Sequence, residues 1–181
     1  MQKLKSVFKT SKAPSSSQSE PPPQDISYPI VVAQYMRDDY GVGTEEELHW
    51  AIIVFTDIGF QKGPCFQIFD RHFRDGTVKW VYFEKDVYLH GTEKSLGGVT
   101  IGSVKESELE DLKKVISKNQ PVVKGEGWNC RSWVMEVIAE LVEKGWVDSS
   151  IRSQGSLIPS MRQASVQTVA AQKPVVVNLS V

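Results

Sequence analysis

Residues 48–55 read "LHWAIIVF". Apolar side chains fall on both parities of this run. A strand whose two faces are both apolar lies in the middle of a sheet and is covered on both sides. Shorter runs flank it. "YPIVVAQYM" (28–36) is β-branched, "CFQIFD" (65–70) and "VKWVYFE" (78–84) are separated by the turn residues Asp75-Gly76, and "GGVTIGSV" (97–104) is a further strand. The period then changes from two to 3.6. In "ESELEDLKKVISK" (106–118), Leu109, Leu112, Val115 and Ile116 share one helical face, and Ser107 is placed to cap it. Pro121 and Gly125 break the chain before a second helix with apolar positions Trp133, Val134, Val137, Ile138, Leu141 and Val142. Strands first and helices later predict an α+β fold with a mainly antiparallel sheet.

The whole chain is consistent with one domain and appendages. It has 181 residues, 22 acidic against 21 basic, and is 40% hydrophobic, so its charge balance points to no nucleic-acid partner. Residues 1–27 are rich in Ser, Pro, Gln and Lys and read as a disordered tail. Lys3, Lys5, Lys9 and Lys12 read there as solvated charges. Residues 28–152 form the domain. Residues 153–181, including "PVVVNLSV", show no sustained period and read as a loosely structured C-terminal tail. The chain carries no secretory signal pattern and no run long enough to span a bilayer. With only two cysteines, this predicts an intracellular, cytoplasmic setting. The Asn178-Leu-Ser sequon carries little weight in such a setting.

Cys130 opens the second helix in "GWNCRSWVMEVI". Asn129 is a favoured N-cap, so Cys130 falls in the first turn, where unpaired N–H groups and the helix dipole favour a thiolate. Counting back three or four from Trp133 and Val134 also lands on Cys130, so its side chain faces the sheet. Two readings stand: a small apolar residue at the edge of the core, or a catalytic thiol. A thiol nucleophile needs a base. His72 and His90 lie in polar, turn-like surroundings. His49 opens the central strand, where it is either a satisfied structural residue or that base.

The pair "HWAIIVF" and "WNCRSWVMEVI" resembles the circularly permuted branch of the papain-like, NlpC-like superfamily, in which the histidine strand precedes the cysteine helix. That branch includes lecithin:retinol acyltransferase-like proteins and the PPPDE peptidases. A group of fungal proteins with "HWA…WNCRxWV" patterns is the nearest match, and the resemblance covers about residues 28–147. It implies that Cys130 is the nucleophile and His49 its general base, and that a polar residue on the next strand orients the imidazole. Gln67 is the first choice for that residue and Asp70 the second; strand alternation puts them on opposite faces. Trp128, Asn129 and Arg131 are candidates for substrate contact. Acyltransferase members often carry a second histidine and a membrane segment, and neither is present here. The expected function is therefore a thiol hydrolase or acyltransferase acting on an amide, thioester or ester of a peptide, protein or acyl substrate. The alternative is an inactive papain-like fold serving as a binding or structural module.

Neither a cofactor nor a metal is implied, since the histidines and cysteines lack metal-ligand spacing. "GVGTEE" is too short a fragment to be a phosphate loop, and Glu45–Glu47 reads as a solvated run.

Overall fold

The computed structural model describes residues 25–179. The central strand is β2 (His49–Val54). Trp50, Ile52 and Val54 point to one side, Ala51 and Ile53 to the other, and all five are fully buried. Around it lie β1 (Ser27–Tyr35), β3 (Lys62–His72), β4 (Val78–Tyr88), β5 (Ser95–Lys105) and β6 (Val176–Asn178). The sheet runs β4-β3-β2-β1-β5-β6. All neighbours are antiparallel except β5 and β6, which are parallel.

Three helices complete an α+β architecture: α1 (Leu109–Lys118), α2 (Cys130–Glu143) and α3 (Gln154–Ala171). All contribute to one core with the Trp50 face of the sheet, through Leu112 and Ile116, Trp133 to Leu141, and Leu157 and Met161 respectively. The opposite face holds a smaller cluster of Val31, Ala33, Ala51, Ile53, Phe55, Cys65 and Leu89, with Tyr35, Val87 and Val176 packed against it.

The predicted strands and first two helices are present, with different ends. The β3–β4 hairpin is longer than read, eleven residues in each strand. Its two strands pair along their full length, whereas β3 pairs with β2 only at Phe66 and Cys65, so the hairpin extends past the central strand. Ser107 does not cap α1. A 3-10 turn over Glu106–Glu108 precedes the helix, the N-cap is Glu108 without a side-chain bond, and Ser107 instead hydrogen-bonds Asp25.

The larger correction concerns residues 153–181. They hold α3 and β6 rather than a loose tail. The buried positions of α3 recur every three or four residues, but most are small or weakly polar: Leu157, Ser160, Met161, Ala164, Ser165 and Thr168. Ser153 and Ser156 close a capping box at its start. Buried Gln34 of β1 donates to the Met161 carbonyl (2.7 Å), to Ser165 Oγ (2.8 Å) and to the Leu96 carbonyl (3.3 Å), tying helix to sheet. After α3 the chain passes close to Gly97, whose φ of +79° and contact with the Val175 carbonyl leave no room for a Cβ. Most of the tail read over residues 1–27 lies outside the described residues.

Glu45 also departs from the solvated reading, although Glu46 and Glu47 are exposed. Its side chain is buried and accepts from the Gly43 amide (3.0 Å) and from Arg162 Nε of α3 (3.0 Å). Burial raises its pKa, but the backbone amides and Arg162 outweigh this and hold it below the ordinary value. A depressed carboxylate stabilises the fold above its unfolded pKa, and that contribution is lost as pH falls through the folded one. Arg162→Ala should therefore cost about 1.5–3 kcal/mol at neutral pH, the range for a hydrogen bond to a charged group. Urea unfolding at pH 7 and pH 4 checks this, with the gap between variant and wild type narrowing at the lower pH.

Candidate active site

The site begins at the first turn of α2. Asn129 has extended φ and ψ, and its side chain accepts from the Arg131 and Ser132 amides, while Ser132 Oγ accepts from the Asn129 amide. This capping box fixes Cys130 as the first helical residue. Trp133, Val134, Val137, Ile138 and Leu141 press the helix onto the sheet, and Cys130, one turn earlier, is only 2% exposed.

His49 is the first residue of β2. By alternation it belongs with Ala51 and Ile53, on the face away from α2, and its ring lies 6.2 Å from that of Tyr35. Standing at the very end of the strand, its imidazole still borders the same cleft as Cys130, close enough that each shifts the other's titration. Arg131 sets this approach. It is buried, and its Nη1 donates to the carbonyl of Leu48, the residue before His49, at 3.1 Å.

His49 Nε2 lies 2.9 Å from Gln67 Oε1. The amide oxygen accepts, so Nε2 carries the proton and Nδ1 is left for the thiol. The register explains the contact. Ile53 pairs with Cys65 and Ile52 with Phe66, so Gln67 is the diagonal neighbour of His49 on the same face. Asp70 lies on the other face and pairs with His72 at 2.9 Å.

The electrostatics of the pair are reciprocal. Burial pushes the Cys130 thiol up, but its hydrogen bond and charge interaction with His49, the Trp50 amide and the Arg131 charge together hold it below the usual value. Burial depresses His49 and Arg37 adds to that, yet Cys130 and Gln67 raise it overall. Both shifts favour a thiolate beside an imidazolium. Cys65 contrasts with this. It is buried on the far face of the sheet, unbridged, and pushed up to about 12 by its surroundings.

Cys130 opens into a cleft of about 390 Å³, walled by residues 36–40, His49, Phe69, Asp70, Trp80 and Lys94. A second cavity of about 500 Å³ lies on the Gln67 side of His49, with Tyr35, Cys65, Val87 and Lys85 in its lining. His49, Met36 and Lys94 border both.

The three residues expected to contact substrate have other roles. Asn129 is spent on the cap, and its Nδ2 donates to the Gly127 carbonyl. Arg131 is held inside, against the Leu48 carbonyl. Trp128 sits behind the cleft wall, its indole donating to Glu136 (2.8 Å) and its ring meeting Trp80 edge-to-face at 5.5 Å. First-turn groups are drawn into satisfying the helix end, which leaves little for a ligand. Sequence reasoning missed Arg37, Trp80 and Lys94 in the cleft. Trp80 carried a signal, as a tryptophan of an edge strand; the other two look like any loop cation.

The domain from β1 through α3 is one recognisable unit. The chain belongs to a family of unknown function, DUF6914. Its family model matches residues 29–172, from the third residue of β1 to the C-cap of α3. The DUF6914 match thus includes the helix that the sequence reading left outside the domain. No curated protein and no solved structure matches the chain. Among the described residues, no cluster of His, Cys, Asp and Glu has the arrangement to hold a metal, and no helix is long and apolar enough to cross a membrane.

Proposed function

We propose that this protein is a thiol hydrolase or acyltransferase with a permuted papain-like arrangement, acting on an amide, thioester or ester carbonyl. The observation that carries the reading is Cys130 at a helix N-terminus, sharing a cleft with His49, whose Nε2 lies 2.9 Å from Gln67 Oε1. Such an arrangement supplies a nucleophile, a base beside it and a group that orients the base.

In this reading His49 Nδ1 takes the thiol proton and Cys130 Sγ attacks the carbonyl carbon. The carbonyl π electrons move to oxygen, giving a tetrahedral oxyanion. The capping box takes up the Arg131 and Ser132 amides, which leaves the Cys130 N–H as the first-turn donor for that oxygen. Collapse re-forms the carbonyl and breaks the bond to the leaving group, which departs with the proton from His49. Water or an acceptor nucleophile, deprotonated by His49, then attacks the Cys130 thioester and releases the acyl group. Gln67 positions the imidazole and fixes its tautomer.

One observation favours a second reading. Cys130 is 2% exposed, as a packed core residue is, and a thiol–imidazole contact in a binding module would look the same. An aryl acetate separates the two. The enzyme reading expects a burst of phenol, with the acetyl group found on Cys130 by mass spectrometry and absent in Cys130→Ala. A protein that gains no acetyl group at Cys130 is a binding module. In the enzyme case Gln67→Ala should slow acylation by up to roughly 100-fold, the cost of a misplaced catalytic group, and less than loss of the nucleophile.

A further inference from the structure

Along the β3–β4 hairpin, strand alternation sorts the charges. Arg71 pairs with Lys79, Phe69 with Val81, Gln67 with Phe83 and Cys65 with Lys85. This face therefore carries three cations and no carboxylate, while Asp70, Glu84 and Asp86 belong by alternation to the other. Arg71 and Lys79 stand directly opposite each other, an arrangement that destabilises a sheet unless an anion lies nearby. Both lie against the exposed ring of Phe73, at 5.7 and 5.6 Å from its centroid, and Lys85 lies 5.6 Å from that of Phe83. None of these three cations forms an ion pair among the described residues.

The same hairpin ends the sheet. The outer side of β4 has no strand partner among the described residues, over an element of eleven residues. Lysines on an edge strand discourage pairing between copies. Here they also bracket exposed Phe83 and its edge-to-face partner Phe69. Charge that repels a second copy of this edge attracts a strand of opposite charge.

We propose that the β4 edge binds an extended acidic segment of a partner protein as a seventh strand. From Lys79 to Lys85 is about 20 Å of strand. An added strand thus places carboxylates at positions i and i+6, against Arg71 with Lys79 and against Lys85. Apolar side chains at i+2 and i+4 meet Val81, Phe69 and Phe83. Main-chain hydrogen bonds supply affinity and the alternate side chains specificity. Residues 1–24 of this chain do not fit the role, since they carry Lys3, Lys5, Lys9 and Lys12 and a single acid, Glu20. The surface does not depend on the chemistry of Cys130.

Fluorescence anisotropy of the full chain with a labelled Glu-x-Val-x-Phe-x-Glu peptide tests this. Saturable binding should weaken at least tenfold in Arg71→Glu. That variant places opposite charges across the strands, so its melting temperature should hold or rise, separating lost binding from lost folding. A Lys-for-Glu peptide should regain affinity for a variant with Arg71→Glu, Lys79→Glu and Lys85→Glu together, and backbone N-methylation of the acidic peptide should abolish binding. Indifference to charge reversal or to N-methylation overturns the proposal. So does tighter, charge-dependent binding of a single-stranded oligonucleotide or of phosphatidylserine vesicles.

Discussion

In a Cys65→Ser background, iodoacetamide should label Cys130 at neutral pH, and His49→Ala should slow that labelling at least about tenfold. The basis is the thiolate fraction, because the thiolate is the reacting form and an ordinary cysteine titrates near about 8.5. At Cys130, His49 foremost, then the Trp50 amide and Arg131, together overcome the burial that would raise the thiol. The rate–pH curve should bend below the ordinary value in the parent and move above it once His49 is gone, since burial then dominates. His49 is shifted in the opposite sense, so its proton is retained to higher pH than in a free imidazole. Acyl transfer, which needs that proton for the leaving group, should follow a bell bounded below by the thiol and above by the imidazolium. Labelling that bends only at or above the ordinary thiol value, and ignores His49, would sink the enzyme reading.

Trp133→Ala should be the most destabilising single change in the helix layer. The side chain is fully buried between α2 and the sheet, its ring 6.0 Å from that of Tyr82. Its indole donates to the Asn119 carbonyl at 2.6 Å, at the residue that ends α1. One residue therefore joins both helices to the strands. Removing it forfeits a large apolar surface and leaves a cavity, a change that typically costs about 3–5 kcal/mol. That is a large part of the roughly 5–15 kcal/mol that holds a domain together. Trp133→Phe keeps most of the packing but orphans the Asn119 carbonyl, for a loss of about 1–3 kcal/mol. Urea midpoints of the two variants should fall in that order, and a loss below about 1 kcal/mol for Trp133→Ala would show that the site collapses around the gap.

What could be read from the sequence follows from how far each feature acts along the chain. Alternation and 3.6-residue periods are local, so β1 to β5, α1 and α2 were legible. The Asn129 cap is local too, and it put Cys130 in the first turn. α3 escaped because its buried stripe consists of Ser, Ala and Thr as much as of Leu and Met; hydrophobicity does not mark a face that packs through small side chains and a buried Gln34. Glu45 looked solvated because its partner, Arg162, lies on that same unseen helix. Gln67 beside His49 was within reach once the two strands were taken as neighbours, whereas choosing between it and Asp70 needed the register. The place of Arg131 was not legible because a first-turn arginine gives no sign in sequence of turning inward to a carbonyl. The Trp50 amide, a backbone group, has no sequence signature at all.

The buried amide of Gln34 has consequences during synthesis. Its acceptors at Met161 and Ser165 lie 127 and 131 residues downstream. At about 5–20 residues per second, a ribosome needs roughly 6–25 s to supply them. Over that interval the helix-facing side of β1 waits with Leu96 as the sole partner it can offer Gln34 and with a stretch of core uncovered. Holdase chaperones that act on emerging chains should meet this protein in that window and release it only after its last helix has cleared the exit tunnel.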